Sequence, residues 1–234
     1  MLTVVLAESA LEPIPRQLWK HPLIRKYVQK RGKDPEFLLL DRSYHHVAMK
    51  TLRDAEKRGR PDIVHFSLLE LLGSPLCKER LLQVYVHTVA DSVISVDNET
   101  RLPRNYNRFL GLMEQLFELK QIPPQGSPLL TLIEDMTFPH LMEKIKPDYI
   151  VVFSKSGVGK TLEGTVSEFK EKKNPVAVVG GFPHGTLSGN VRKLANQVAA
   201  IDRETLETWI LVARITYEYE KQIGLPQRRL MLRE

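Results

Sequence analysis

The chain has 234 residues, 42% of them hydrophobic, so it is long enough and apolar enough to bury a substantial core. Its formal net charge of +6 at pH 7 indicates an acidic partner, most simply nucleic acid, although an enzyme can be basic without one. The single cysteine, Cys77, excludes an internal disulfide and a zinc site built from several cysteines, and it predicts a reducing, cytoplasmic compartment. No apolar run is long enough to cross a bilayer, so no membrane partner is expected.

Short aliphatic or β-branched runs alternate with helical patterns in the first half of the chain. Strands are predicted at residues 3–7 and 37–40, helices at 22–30, 45–58 and 63–72, and a β-hairpin from 82–89 and 92–96. Asp62 is placed to cap the helix that follows it, which is expected to end at Gly73. A later helix ends near Lys120, and the proline-rich residues 122–128 after it are the most linker-like segment of the chain.

The second half repeats a strand–helix rhythm. Strands are predicted at residues 129–133, 149–153, 176–179 and 197–201, and helices at 140–145, 162–172, 187–195 and 203–223. Strands such as 150–153 and 176–179 are apolar throughout, which is typical of a parallel sheet covered by helices on both faces. The predicted fold class is therefore α/β.

Residues 154–161 follow a predicted strand and precede a predicted helix, as a phosphate-binding loop does. Gly159, Lys160 and Thr161 fit the end of that motif, but Ser154 stands where the motif has its first glycine. No apolar strand ends in a clear magnesium-binding aspartate. A polar connection is therefore favoured over a nucleotide-hydrolysing site, which magnesium-dependent ATP turnover would reveal.

A second loop, rich in glycine, follows the strand at 176–179 and contains Gly180, Gly181 and Gly185. Glycines allow positive φ and let a ligand approach the backbone closely. Ligands of open parallel sheets bind at the carboxyl ends of the strands, so this loop, Ser154 and residues 201–206 outline a small-ligand pocket. Paired glycines are also common in tight turns. The spacing of the histidines does not indicate a metal site, and no set of residues indicates nucleophilic catalysis.

Arginines stand at turns and helix starts between residues 60 and 108. The four that share this placement are Arg60, Arg101, Arg104 and Arg108. Pro103 stiffens the backbone between two of them, and Asp62 is close enough in sequence to hold a third by a charge-assisted hydrogen bond. Solvation is the usual fate of a surface arginine. Rigid guanidinium groups fixed by the backbone nevertheless favour a polyanion-binding site.

Ordered segments in the same region carry a family resemblance. They are RPDIVH at residues 60–65, LLGSPL at 71–76, LQVYVHT at 82–88, RLPR at 101–104 and RFLGLM at 108–113. Together they closely resemble the ribosome-biogenesis pseudouridine-N1 methyltransferases, which belong to the SPOUT superfamily of RNA methyltransferases. The match is dense from residue 60 to residue 119, looser towards the C-terminus and thin before residue 34.

The resemblance implies a SPOUT-type, mostly parallel sheet flanked by helices, with a C-terminal trefoil knot and a hairpin-containing extension. It implies one domain over residues 1–234, an RNA-binding extension at about 77–108 and a knotted cofactor-binding part at about 148–223. The implied activity is S-adenosyl-L-methionine-dependent methylation of N1 of a pseudouridine in small-subunit rRNA. The implied partners are small-subunit rRNA, a second copy in a homodimer formed partly by the long last helix, and a pre-ribosomal particle. A non-catalytic rRNA-binding assembly factor is the alternative.

The resemblance also implies roles for individual residues. Its rRNA-contacting arginines match Arg60, Arg101, Arg104 and Arg108, and its steadying aspartate matches Asp62. Its cofactor loops match Ser154, Gly180, Gly185, Ile201, Asp202, Arg203, Glu204, Thr205 and Leu206. The stretch 201–206 is more charged than the usual cofactor loop of the family, so contacts through its backbone are expected to persist while side-chain contacts differ. No residue is indicated as a general base.

Overall fold

The computed structural model describes residues 1–231, which form an eight-stranded sheet flanked by helices; the last three residues of the predicted domain lie outside this range. In chain order the strands are β1 (Leu2–Ser9), β2 (Leu82–Thr88), β3 (Val93–Val96), β4 (Gln121–Ile122), β5 (Leu130–Ile133), β6 (Tyr149–Gly159), β7 (Pro175–Gly180) and β8 (Gln197–Ala200). Their order across the sheet is β4-β5-β3-β2-β1-β7-β6-β8. Strands β2, β1, β7, β6 and β8 run parallel, while β2–β3, β3–β5 and β4–β5 pair antiparallel. The predicted α/β class is confirmed.

Ten α-helices connect or cover these strands within residues 1–231. They are α1 (Pro22–Arg31), α2 (Arg42–Met49), α3 (Pro61–Gly73), α4 (Pro75–Lys78), α5 (Tyr106–Leu119), α6 (Phe138–Ile145), α7 (Leu162–Ser167), α8 (Gly189–Arg192), α9 (Thr208–Gln222) and α10 (Leu225–Met231). None of them has both the length and the apolar composition needed to span a membrane.

Strand β1 shows why the central strands are apolar at every position. Successive side chains of a strand point to opposite faces, so Val4 and Leu6 pack into the core under α3, α5 and α9. Val5 and Ala7 point the other way, into the core under α6 and α8. Burying each valine or leucine side chain contributes roughly 1.5–3 kcal/mol, so both faces stabilise the same strand.

The predicted strand at residues 37–40 is wrong. Pro35–Phe37 form a 3-10 turn, and the only bridge here joins Pro13 to Leu39. Leu38 and Leu40 are buried instead in a separate small core under α1 and α2. A short apolar run does not reveal whether it pairs with a sheet or packs beneath helices, because both remove the same side chains from water.

Several predicted boundaries also move. Helix α2 begins at Arg42, because the Asp41 side chain accepts a hydrogen bond from the Ser43 N–H, and it ends well before residue 58. Strand β6 runs on to Gly159, and β4 begins one residue before the predicted linker and ends at its first residue, Ile122. The predicted helices at 162–172, 187–195 and 203–223 shorten to α7, α8 and α9. Because α9 begins only at Thr208, residues 201–207 form a loop at the edge of the sheet. Helix α10 follows α9 as the last helix of the described residues.

Candidate functional site

The carboxyl ends of β6, β7 and β8 open into a cleft of about 570 Å³. Because these strands are parallel, their ends meet at one edge of the sheet, where ligands of such sheets bind. The predicted residues that line the cleft are Ser154, Gly180, Gly185, Ile201, Asp202, Glu204, Thr205 and Leu206. Arg203 was predicted with them but does not line it.

Further residues beyond these predicted ones complete the walls of the cleft. These residues are Phe153, Lys155, Ser156, Val179, Phe182, Pro183, His184, Thr186, Leu187, Ala199, Glu207, Thr208 and Leu211. The hydroxyl of Thr208 donates a hydrogen bond to the Gly180 carbonyl at 2.8 Å, which joins the loop after β7 to the start of α9. No local signal could have shown this contact, because its partners are 28 residues apart.

The glycines of the loop after β7 serve different purposes. Only Gly185 has a positive φ, of 99°, a conformation that side chains rarely adopt. Gly180 and Gly181 are required by packing instead: a Cβ at Gly180 would lie 2.8 Å from the Phe182 ring, and one at Gly181 would lie 2.2 Å from the Ser9 hydroxyl oxygen. The expected use of positive φ in this loop therefore holds for Gly185 and not for Gly180 or Gly181.

Strand β6 carries an irregularity beside the cleft. Phe153 and Val158 both pair with Ala199, so the residues between them leave the regular ladder. Within that stretch, a Cβ at Gly157 would lie 2.6 Å from the Val198 carbonyl oxygen, which leaves room only for glycine. The bulge places Ser154 against the cleft. Such bulges re-aim side chains next to functional sites.

The phosphate-loop-like residues do not surround an anion site. The Lys160 ammonium pairs with the Glu168 carboxylate, and the Thr161 hydroxyl accepts the Gly164 N–H as the cap of α7. The motif residues that would contact phosphate therefore stabilise the strand–helix connection instead.

Arg60 and Asp62 form a fixed pair at the start of α3. The Arg60 Nε and Nη2 atoms each donate to the Asp62 carboxylate at 2.8 Å. The prediction that Asp62 caps this helix is wrong: Asp62 lies in the first helical turn, where the Arg60 guanidinium engages its carboxylate. The hydrogen bond to Asp62 is the main cause that raises the pKa of Arg60, and the negative charges of Asp62 and Glu207 raise it further. The Arg60 N–H donates to the Ala10 carbonyl at 3.2 Å, and the Ala10 N–H donates to the Gly181 carbonyl at 2.8 Å, so Arg60 lies close to the glycine-rich loop of the cleft.

The other three arginines lie at the start of α5. Arg101, Arg104 and Arg108 are all exposed, and none of them forms a salt bridge within residues 1–231. The Nε2–H of His65 on α3 donates to the Pro103 carbonyl at 2.7 Å, which ties their loop to the helix that begins beside Arg60. The structure thus places the four predicted arginines at or shortly before the starts of two tethered helices, and Arg101, Arg104 and Arg108 are exposed.

Tyr106 links this region to α2. Its hydroxyl donates to the Asp41 carboxylate at 2.6 Å. Burial raises the pKa of Tyr106, and the hydrogen bond to Asp41 raises it further, so the phenol stays protonated and keeps donating.

Comparison with known proteins agrees with this arrangement. Residues 4–220 match the model of a family described as EMG1/NEP1 methyltransferase. The Ribosomal RNA small subunit methyltransferase Nep1 of Staphylothermus marinus is 44% identical over 214 residues, covering 92% of this chain and 93% of the relative. The protein of the same name from Pyrococcus furiosus is 44% identical over 225 residues, covering 95% and 97%.

A solved structure shows the same fold. The crystal structure of Archaeoglobus fulgidus Nep1 bound to S-adenosylhomocysteine matches this chain with a TM-score of 0.82 at 39% identity, covering 95% of this chain and 98% of that one. The resemblance found in residues 60–113 is thereby confirmed. The chain belongs to the EMG1/NEP1 methyltransferase family.

Proposed function

We propose that this protein transfers the methyl group of S-adenosyl-L-methionine to N1 of a pseudouridine in small-subunit rRNA. The observation that carries the proposal is the connection of Arg60, through the Ala10 backbone, to Gly181 in the loop beside the cleft between β6, β7 and β8. The relatives' names support rRNA of the small subunit as the substrate, and the ligand of the Archaeoglobus fulgidus structure supports the cofactor. The choice of pseudouridine N1 follows from the sequence resemblance.

The cleft has the volume of a typical cofactor pocket. Pockets for small molecules and cofactors enclose roughly 300–1,000 Å³, and the cleft has about 570 Å³. Backbone groups of residues 180–187 and 201–206 would hold the adenosine and amino-acid parts, and the positive φ of Gly185 shapes one wall. The cofactor supplies an electrophilic methyl group on a sulfonium, and the protein supplies alignment.

The residues of this chain have separate tasks in that reaction. Arg101, Arg104 and Arg108 bind the phosphates that flank the target nucleotide. Arg60, held by Asp62, presents positive charge beside the cleft, which stabilises the negative charge that develops as the N1 proton passes to water and the methyl group moves from sulfur to N1. Methyl transfer needs in-line alignment, so positioning accounts for much of the rate. The target base lies in a loop or flips out, because a stacked base is out of reach.

This division of tasks supports the predicted domain plan. Residues of about 77–108 form an RNA-binding extension that includes three of the arginines, and residues of about 148–223 form the cofactor-binding part. The protein works on a pre-ribosomal particle in the cytoplasm, a proposal supported by the relatives' names and by the buried free thiol of Cys77.

A homodimer through α3, α9 and α10 is part of the proposal. These helices enclose a mainly apolar groove of about 690 Å³. Tyr217 and Leu230 line it while 60% and 70% exposed, and Phe66 and Ile210 on the same helices are nearly half exposed. Exposed apolar side chains gathered on one face mark an interaction surface, and a second copy supplies a matching one.

Two RNA oligonucleotides test the proposed reaction. They share one small-subunit sequence and differ only in carrying pseudouridine or uridine at the target position. After incubation with S-adenosyl-L-methionine, mass spectrometry is expected to show one added methyl group on the pseudouridine strand alone. Equal methylation of both strands would refute the N1 assignment. Tight RNA binding without cofactor binding would favour the non-catalytic assembly factor.

A further inference from the structure

Lys57 and Glu8 form an ion pair behind the glycine-rich loop, outside the lining of the cleft. The Lys57 ammonium lies 2.9 Å from a Glu8 carboxylate oxygen, and the two side chains are only 16% and 12% exposed. Glu8 has a positive φ of 51°, which is uncommon for a residue with a side chain. Such strained backbone gathers at functional sites, so the pair calls for an explanation beyond general stability.

The Lys57–Glu8 ion pair supports the loop after β7. Lys57 Nζ donates to the Thr186 carbonyl oxygen and lies 4.4 Å from the centre of the Phe182 ring, a cation–π contact. The other Glu8 oxygen accepts the Ser188 N–H at 2.9 Å. A Cβ at Gly185 would lie 2.9 Å from Lys57 Cε, so the loop packs directly on the lysine stem. Two residues thus fix residues 182–188 at four points.

The surroundings of Glu8 keep the pair ionised. Burial would raise the pKa of Glu8, but the hydrogen bonds from Ser188 and Lys57 hold it below the ordinary pKa of a glutamate. The Glu8 N–H donates to His87 Nδ1 at 3.2 Å, while His87 Nε2 lies 3.1 Å from the Asp91 carboxylate. Burial lowers the pKa of His87, so the imidazole stays neutral and continues to accept from the Glu8 backbone.

The same segment leads into the arginine site. Arg58 pairs with the buried Glu12 carboxylate, and the Arg60 N–H donates to the Ala10 carbonyl at 3.2 Å. Residues 57–60 are therefore attached to the end of β1 and the residues just after it, through Lys57, Arg58 and Arg60. This segment joins Lys57, which contacts the loop of the cleft, to Arg60.

We propose that Lys57, fixed by Glu8, is a positioning residue for the cofactor: it holds residues 182–188 in the shape that binds S-adenosyl-L-methionine. The inference rests on the proposed function, in which that loop contacts the cofactor. Lys57 touches neither the methyl group nor the RNA base. It acts through the backbone of the loop.

Two single substitutions and their combination test this role. Lys57→Met keeps the stem but removes the charge, and Glu8→Gln keeps an acceptor for the Ser188 N–H but removes its charge. Lys26→Met is the matched control, because Lys26 is exposed on α1 and forms no salt bridge within the described chain. Calorimetry with S-adenosylhomocysteine gives the affinity of each variant, and steady-state kinetics separates KM for the cofactor from kcat.

Each single variant is expected to bind S-adenosylhomocysteine roughly tenfold more weakly, and the double variant no more weakly than the singles, since both remove one coupled pair. KM for the cofactor rises, while kcat at saturating cofactor stays near that of the unaltered protein. Normal affinity in both single variants would overturn the inference, as would a fall in kcat with normal cofactor affinity, because the pair would then not act on cofactor binding. An unaltered protein that fails to bind S-adenosylhomocysteine would instead overturn the proposed function.

Discussion

Arg104 offers the sharpest quantitative prediction for RNA binding. Its guanidinium is exposed and has no salt-bridge partner within residues 1–231, so replacement by alanine removes about one phosphate contact and little else. One contact to single-stranded RNA lowers the slope of log affinity against log salt by about 0.7. At about 0.15 M salt this predicts a roughly fourfold loss of affinity, about 0.8 kcal/mol, and at about 0.05 M roughly eightfold.

Fluorescence titration of a labelled rRNA oligonucleotide across these salt concentrations measures both quantities for Arg104→Ala. Arg192→Ala is the matched control, because Arg192 is exposed on α8, which packs against the opposite face of the sheet from α5. Affinity for S-adenosylhomocysteine should not change in either variant. An Arg104→Ala variant whose RNA affinity and salt slope equal those of the control would refute the phosphate contact.

Three further substitutions address the Arg60–Asp62 pair at α3, the buried His45 and the proposed dimer face. Asp62→Asn is expected to weaken RNA binding by freeing Arg60, yet to lower the free energy of unfolding by less than about 1 kcal/mol, because the two side chains of the ion pair are 35% and 27% exposed and water screens it. RNA titration beside urea unfolding measures both, and unchanged RNA affinity would contradict the role of Asp62. Burial lowers the pKa of His45 to about 4, so between about pH 6.5 and pH 4 the unfolded chain binds more protons than the folded protein. The free energy of unfolding therefore falls by roughly 2–3 kcal/mol as the pH falls through that window. His45→Asn, which keeps an acceptor for the Asp41 N–H, should flatten this dependence in urea unfolding, and an unchanged slope would refute the assignment. Tyr217→Arg is expected to yield monomers in light scattering, and a persistent dimer would place the interface elsewhere.

The central sheet was predictable because its strands are buried on both faces. Runs such as those in β6 and β7 contain too many apolar side chains for a strand with a solvated face. The Arg60–Asp62 pair was predictable because its partners are two residues apart. Local spacing of this kind is visible in a sequence.

Contacts between distant segments were not predictable. Lys57 meets Glu8 across 49 residues, and Thr208 meets Gly180 across 28, and no pattern near any of these residues marks its partner. The apolar residues 37–40 gave a wrong strand, because burial beneath α1 and α2 selects the same side chains as burial in a sheet. The trefoil knot stays a prediction, since strand order and pairings do not by themselves establish how one segment threads another.

A crystal structure with S-adenosylhomocysteine and a pseudouridine-containing rRNA fragment tests the central claim most directly. The ligand is expected between the loops at 180–187 and 201–206, with Arg101, Arg104 and Arg108 on the phosphates and the target base directed at the sulfur. Ligand density away from the carboxyl ends of β6, β7 and β8, or RNA on a surface remote from these arginines, would contradict it.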